Sequence, residues 1–496
     1  MRDPIADKLE SADQDANEAR EELHVAEAEL DRKEAALERA TEVSHLPEEM
    51  LKNMDISADP CGDFFQYACG RYNTHAEIPE YLISWSHSWD ETRHRTVVRM
   101  VDVLEKDEGD AGSYFQSCMN TEAVERLGTG PLTIWMEAVD EVKDRASLTS
   151  YLATISLYNM AGIFSWQVKD DLMNPGNHYL LITHASLSLP GTSYFLNSGQ
   201  KYVSRRANLV QKATEVFEMT GMSSEQAQQE AQDMLEVETE IARNRLTYHQ
   251  IHAKPTPRMR TAGLEESCGG IDWELFFEAT GMSGVTNGTA EMGVEDLENL
   301  KSIQGSVFEA MPYSKLRGYL RWRLMRSYSS YLPRRLKLLV EESRTGHVKS
   351  LKEESRPKRP HYATCYMELL KSLPEETSRL YLEHYFDEGL MDEVAVMLTE
   401  VRQAFAEELG TLDWMDPESK AQALSKLEMM GFEVGYPDDK AEVLDEGELG
   451  MKPDKRFDNY LKVNSICEGS GELVDCRGGG VRFELLCELL CVSRER

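Results

Sequence analysis

A mainly α-helical protein with one minor β-hairpin is what this sequence predicts, and three observations carry the prediction. Apolar residues recur at intervals of three and four through most of residues 51–463. Two extended-looking stretches flank a turn signal, Asn174-Pro175-Gly176-Asn177. The first 46 residues carry a seven-residue repeat.

In chain order, the repeat comes first. Ile5, Ala12, Ala19, Ala26, Lys33 and Ala40 form one series, and Leu9, Ala16, Leu23, Leu30 and Leu37 a second, out of phase by three or four positions. Together they make an a/d seam, expected either as a self-associating coiled-coil stalk or as a solvated single helix held by charge pairs. Further on, Val97, Met100, Val101 and Leu104 form one apolar stripe. Phe164–Val168 and Tyr179–Thr183 are expected to pair as a hairpin. Ser223 and Gln226 have capping-box spacing ahead of a helix that places Ala227, Ala231, Met234, Leu235, Ile241 and Ala242 on one face. Leu390, Val394, Met397, Leu398, Val401 and Phe405 define a further helix that Gly410 can stop. Asp416-Pro417 supplies an N-cap and a first-turn proline for the next. After Val463 the period is lost: Gly478-Gly479-Gly480 and Cys467, Cys476, Cys487 and Cys491 belong either to a small cysteine-stapled unit or to translated non-coding or frame-shifted sequence. The expected division is 1–46, 47–463 and 464–496.

Composition narrows function. Lys plus Arg number 54 against 88 Asp plus Glu, a formal charge of -34, so the chain repels phosphate backbones and anionic lipid, and nucleic acid is not expected as a partner. There is no run of eighteen apolar residues and the N-terminus is charged throughout, so neither a spanning helix nor a signal peptide is expected, and the chain as written would be soluble and cytosolic. The nine cysteines are open to two readings, disulfides in an oxidising compartment or reduced buried thiols. The sequon Asn287-Gly288-Thr289 points toward the first.

The most informative motif is Asp59-Pro60-Cys61-Gly62-Asp63-Phe64-Phe65-Gln66-Tyr67-Ala68-Cys69-Gly70. Leu51–Asp55 precedes it, and Ile78-Pro79-Glu80 and Trp89-Asp90-Glu91-Thr92-Arg93 follow. Later landmarks are Tyr114–Asn120, Leu189-Pro190 with Tyr194, Tyr319-Leu320-Arg321-Trp322, Arg379-Leu380-Tyr381, Leu412–Asp416, Lys420-Ala421 and Gly435–Asp439. In order and approximate spacing this series resembles the N-terminal portion of the neprilysin and endothelin-converting-enzyme family of zinc metallopeptidases. The resemblance implies a large helical cap over residues 47–463, enclosing a cavity that admits peptides of limited size. In the intact family a catalytic lobe follows, in which zinc polarises the carbonyl of a small peptide and activates a water to cut on the amino side of hydrophobic residues.

That lobe requires an Asn-Ala substrate clamp, H-E-x-x-H to present two imidazoles to one zinc, a downstream E-x-x-x-D for the third ligand, and a Cys-x-x-Trp-like end. Asn-Ala, H-E-x-x-H and the Cys-x-x-Trp-like end do not occur in the 496 residues, so no E-x-x-x-D stands downstream of a zinc motif. The expectation is therefore the cap portion of such an enzyme, with no cofactor, catalytic or metal residue of its own. The alternatives are a pseudo-peptidase that binds peptides or a protein partner, and a helical scaffold unrelated to peptidases.

By resemblance, Asp90 and Arg93 line the substrate cavity, with Trp89 in the aromatic place. Read from the residues alone, they are an i,i+3 ion pair at the surface. The arginine that some members place before the preceding aromatic is Ser84 here, beside Trp85, which weakens the case for direct recognition of a substrate C-terminus. The resemblance also implies a Cys118–Cys365 disulfide, and it leaves Cys61 and Cys69 unpaired because their family partners lie near the end of the catalytic lobe. Other constellations are weaker. His249-x-x-His252 lacks a third ligand and runs into Lys254-Pro255, and His87 and His94 stand two turns apart around Asp90 and Glu91. No nucleotide-binding glycine loop and no Ser or Cys nucleophile signature is present.

Overall fold

The computed structural model describes residues 46–82, 84–87, 89–158, 160, 162–171, 178–243, 245–253, 255–280, 291–345, 359–387, 389–435 and 449–465. The heptad series, Asn287 and the four C-terminal cysteines lie outside the described residues. The chain divides between His87 and Ser88 into two compact units.

The described residues of the first unit form short helices, Glu48–Leu51, Phe64–Cys69 and Tyr72–His75. Asp63 caps the second by accepting from the Gln66 N–H at 2.9 Å, which satisfies one of the donors a helix start leaves open. Backbone bonds from Asp55 N–H to Tyr67 O (2.8 Å) and Arg71 N–H to Asn53 O (3.1 Å) tie the turns together. The Asp55 carboxylate accepts from the Ser57 hydroxyl and the Gln66 amide, and these bonds hold its pKa below the usual range. Phe64 and Phe65 remain 68% and 73% exposed, so this motif presents its aromatic pair outward.

The second unit contains two hydrophobic clusters. Among its helices are, in order, α1 (Trp89–Leu104), α2 (Asp110–Met119), α3 (Arg145–Leu157), α4 (Gln200–Glu218), α5 (Ser224–Arg243), α6 (Trp273–Ala279), α7 (Tyr313–Tyr328), α8 (Arg334–Thr345), α9 (His361–Ser372), α10 (Pro374–Tyr385), α11 (Gly389–Thr411), α12 (Pro417–Glu428) and α13 (Arg456–Ser465). Helix α5 starts where the capping spacing predicts: the Gln226 N–H donates to Ser223 Oγ at 3.3 Å. Its apolar face, with Ala227, Ala231, Met234, Ile241 and Ala242, is buried between α4 and α7. Gly318 permits the α5–α7 approach, because a Cβ there would lie 2.8 Å from the Glu230 carbonyl oxygen. Helix α7 is buried nearly all round and carries Arg321 and Arg323 inside. Arg321 is paired there with Glu230 and Asp140, which keeps the guanidinium from being an unmatched interior charge.

A four-stranded sheet sits in the same cluster. The predicted hairpin is β1 (Phe164–Asp170) and β2 (His178–His184), antiparallel with Phe164 opposite His184. Two further strands, β3 (Arg258–Met259) and β4 (Met292–Val294), extend it in the order β1-β2-β4-β3. Strand β4 runs parallel to β2 and antiparallel to β3. Gly293 is required there, since a Cβ would meet the Tyr179 ring at 2.7 Å and Leu181 Cδ1 at 2.9 Å.

The second cluster gathers α1, α2, α9, α10 and α13 around Met100, Leu104, Tyr114, Phe115, Leu369 and Val463. Asp110 fixes the segment ahead of α13 by accepting from the Leu449 and Met451 N–H groups at 3.0 and 2.8 Å. Arg456 of α13 pairs with Glu368 of α9 at 2.7 Å, both largely buried. Helix α11 differs from the rest. Of its 23 residues only Leu409 is buried among the described side chains, and the stripe Leu390, Val394, Met397, Val401 and Phe405 faces solvent. Helix α12 begins as expected, with Asp416 Oδ1 accepting from the Ser419 N–H at 2.9 Å and Pro417 in the first turn.

Candidate functional site

The start of α1 brings Asp90 and Arg93 onto one face of the first turn, three positions apart. Carboxylates at Asp90 and Glu91 suit the positive end of the helix dipole, which explains a helix beginning here. Asp90 is half-buried, Arg93 is exposed, and Trp89 is 76% exposed. An exposed guanidinium beside an exposed indole can take a carboxylate through two parallel N–H bonds and cover an apolar side chain next to it. Ser84 and Trp85 belong to the other compact unit, where Ser84 is exposed and Trp85 half-buried.

Cys118 of α2 and Cys365 of α9 form a disulfide across a sequence separation of 247, with Cα atoms 5.7 Å apart and both residues fully buried. His361, one turn before Cys365, donates its Nε2–H to the Cys118 carbonyl at 3.0 Å, and the same nitrogen lies 3.6 Å from Cys365 Sγ. Among the described residues these three side chains converge closely enough to share a metal, with ligating atoms within 4.8 Å of one another. The group does not fit a hydrolytic zinc. Its sulfurs are bonded to each other, so neither is a thiolate, and one imidazole is left as the sole donor.

Cys61 and Cys69 are exposed free thiols in the first unit. Cys268 is buried, and burial pushes its thiol up to about 12, which marks it as inert packing. His249 and His252 lie on a five-residue helix, Tyr248–His252, that ends ahead of Pro255.

One feature gave no signal in the sequence. A cavity of about 440 Å³ opens beside the loop Ser186–Thr192 and is lined by Arg245, Arg326 and Arg344. These arginines come from the residues after α5, from α7 and from α8, so no spacing rule connects them.

Residues 60–437 match the model of Peptidase family M13. The chain belongs to peptidase family M13. It is 27% identical over 453 residues to membrane metallo-endopeptidase-like 1 of Mus musculus, covering 83% of this chain and 58% of that protein. Endothelin-converting enzyme 1 of Rattus norvegicus is 24% identical over 449 residues, covering 84% of this chain and 55% of the relative. The M13 chain thus spans somewhat more than half the length of the curated relatives it matches. Among solved structures, the zinc metalloprotease ZMP1 of Mycobacterium tuberculosis in its open state superimposes with a TM-score of 0.71 at 21% identity, over 82% of this chain and 63% of that one. PepO from Lactobacillus rhamnosis gives 0.61 at 13% identity, over 82% and 65%. These likenesses establish the M13 fold, and the family match removes the reading of a scaffold unrelated to peptidases. Among the described residues no helix of the M13 chain is long and apolar enough to cross a membrane.

Proposed function

We propose that this chain is the N-terminal, cap-forming portion of an M13 zinc metalloendopeptidase, that its 496 residues hold no catalytic zinc, and that it does not cleave peptides by itself. The observation that carries the proposal is the apolar face of α11. Leu390, Val394, Met397, Val401 and Phe405 follow helical spacing and are 38–61% exposed, and Trp414, Met429 and Met430 add further exposed apolar surface around α12. A stripe fifteen residues long extends about 22 Å along a helix, and a continuous apolar surface of that kind marks an interface. Two further observations agree. H-E-x-x-H is missing from the sequence, and the donor set at Cys118, His361 and Cys365 is unsuited to hydrolysis. The cap would contribute a wall of the peptide chamber, with Asp90 and Arg93 orienting a substrate carboxylate.

The test is direct. The purified 496-residue chain, equilibrated with zinc and freed of excess, is expected to retain no stoichiometric metal by mass spectrometry and to leave a quenched fluorescent peptide uncut. One zinc per chain together with chelator-sensitive cleavage would sink the proposal. The exposed Trp89 and Arg93 favour a second reading, a pseudo-peptidase whose cap binds peptides without cutting them. It predicts saturable binding of a labelled peptide by the isolated chain, weakened by Arg93→Ala.

A further inference from the structure

We propose that the cavity beside the Ser186–Thr192 loop is a binding site for a small multivalent oxyanion of the phosphate or polycarboxylate class. The loop leaves the end of β2 and turns under α7, and its carbonyls anchor the arginines. Arg245 Nη1 donates to the Ala185 carbonyl at 3.0 Å, Arg326 Nη1 donates to the Ser186 carbonyl at 3.1 Å, and Arg323 Nη1 donates to that same carbonyl at 2.6 Å. Each of these bonds uses one of the five N–H donors of a guanidinium and fixes its plane, which leaves further donors of Arg245 and Arg326 for a ligand. Arg344 reaches the cavity from the end of α8 and is exposed.

Charge is the second observation. In a protein of formal charge -34, arginines normally find carboxylates, as Arg321 does with Glu230 and Arg335 with Glu215. Among the described residues, Arg245, Arg326 and Arg344 have no ion-pair partner. The acids that act on these arginines are committed elsewhere: Glu238 accepts from the Ser188 hydroxyl at 2.7 Å and from the Ser188 N–H at 3.2 Å, and Asp296, beside Glu295, accepts from His184 and from the Leu246 and Asn299 N–H groups. Burial also pushes the Glu238 carboxyl upward, so it is a reluctant counter-charge. Burial and the adjacent Arg323 bring Arg326 down to about 10, and burial lowers Arg245 as well. Unmatched cations held in a partly water-excluded cavity are what an oxyanion stabilises through charge-assisted, forked hydrogen bonds.

Size selects the ligand class. At about 440 Å³ the cavity exceeds a bare phosphate and suits a small metabolite with anionic groups. Convergence of the arginines favours at least two negative charges over a lone carboxylate. The site is independent of α11 and of Asp90 and Arg93, and it needs no zinc.

The experiment is calorimetric titration of the 496-residue chain with inorganic phosphate and, separately, with citrate, in chloride buffer of matched ionic strength. Saturable binding of either anion is expected, with Arg326→Gln and Arg344→Gln each weakening it at least tenfold. Arg335→Gln, which alters an exposed pair outside the cavity, should leave it unchanged. Because Arg344 is exposed, its variant should keep the fold even if Arg326→Gln does not. If neither anion binds beyond chloride, or if Arg344→Gln binds as tightly as the parent, the proposal is overturned.

Discussion

Replacing both Cys118 and Cys365 by alanine tests how the second hydrophobic cluster is held together. The bridge joins α2 to α9 across a sequence separation of 247, and the buried residues of the first cluster other than Phe457, with the sheet and α3 to α8, lie within that loop. Cross-linking restricts the denatured chain: the entropy model assigns about 3 kcal/mol to a 15-residue loop and about 4.7 to a 100-residue loop, and its logarithmic form gives about 5.5 for this one. Losing two sulfurs from fully buried positions beside Met100 and Phe115 adds a smaller packing cost, about 1 kcal/mol. The expected total, about 6.5 kcal/mol, is a large share of the stability of an ordinary domain. The assay is urea denaturation in parallel with hydrogen exchange read on α2 and α9, whose amides should lose protection before those of α4 and α5. Mass analysis after alkylation without reduction supplies the control, since Cys118 and Cys365 should take no label in the parent protein. A destabilisation below about 1 kcal/mol would refute the reasoning, by showing that the denatured chain already holds the two elements together.

Other outcomes follow from single sites. Arg321→Met should cost about 1–3 kcal/mol by urea denaturation, because half-buried Glu230 is left without its cation. Adding Glu230→Leu should recover a substantial part, and a double variant no better than the single would contradict the pairing argument. Asp296→Asn should remove part of the stability at neutral pH. Burial pushes the Asp296 pKa up, but bonds from His184 and from the Leu246 and Asn299 N–H groups outweigh it and hold the group below its ordinary value. A depressed acid contributes stability above about pH 4 that is lost as pH falls through the folded value, so the variant's acid-unfolding limb should be shallower than the parent's. Met397→Glu with Val401→Glu should lower binding of an apolar fluorescent dye while shifting stability by no more than about 0.5 kcal/mol per site, since both side chains are 60–61% exposed. A marked loss of stability would mean that the face already supports this unit.

Local chemistry made much of the fold legible. The Ser223 cap and its apolar stripe located α5, Asp416-Pro417 located α12, and the turn signal after Val168 placed the hairpin between strands that pair as expected. Strands β3 and β4 were illegible because two and three residues cannot display alternation, and their pairing is set by the sheet they join. Helix α7 showed no stripe because it is buried on nearly every side, with Arg321 and Arg323 made tolerable only by partners far away in sequence. The arginine cavity failed to register for the same reason: Arg245, Arg326 and Arg344 acquire a common function only after separate elements have packed. Asp90 and Arg93 were visible because one helical turn brings them together.

Helix α11 separates two things that periodicity alone conflates. Spacings of three and four announce that a helix has an apolar face, but they do not say what covers it. For α5 the cover is α4 and α7, and Gly318 of α7 lets those two helices approach closely. On α11 the corresponding side chains are large, Leu, Val, Met and Phe, and they stand in water. Fully burying one such side chain is worth about 1.5–3 kcal/mol, so five that are roughly half exposed leave about 4–8 kcal/mol unrealised. That is comparable to the whole stability of a small domain, and a sequence under selection as an isolated unit would be expected to carry polar residues there. The exposed free thiols of Cys61 and Cys69, for which the family resemblance implies partners in the catalytic lobe, make the same point in different chemistry. Covering apolar surface and pairing thiols are separate demands, and the cap-forming role proposed above accounts for both.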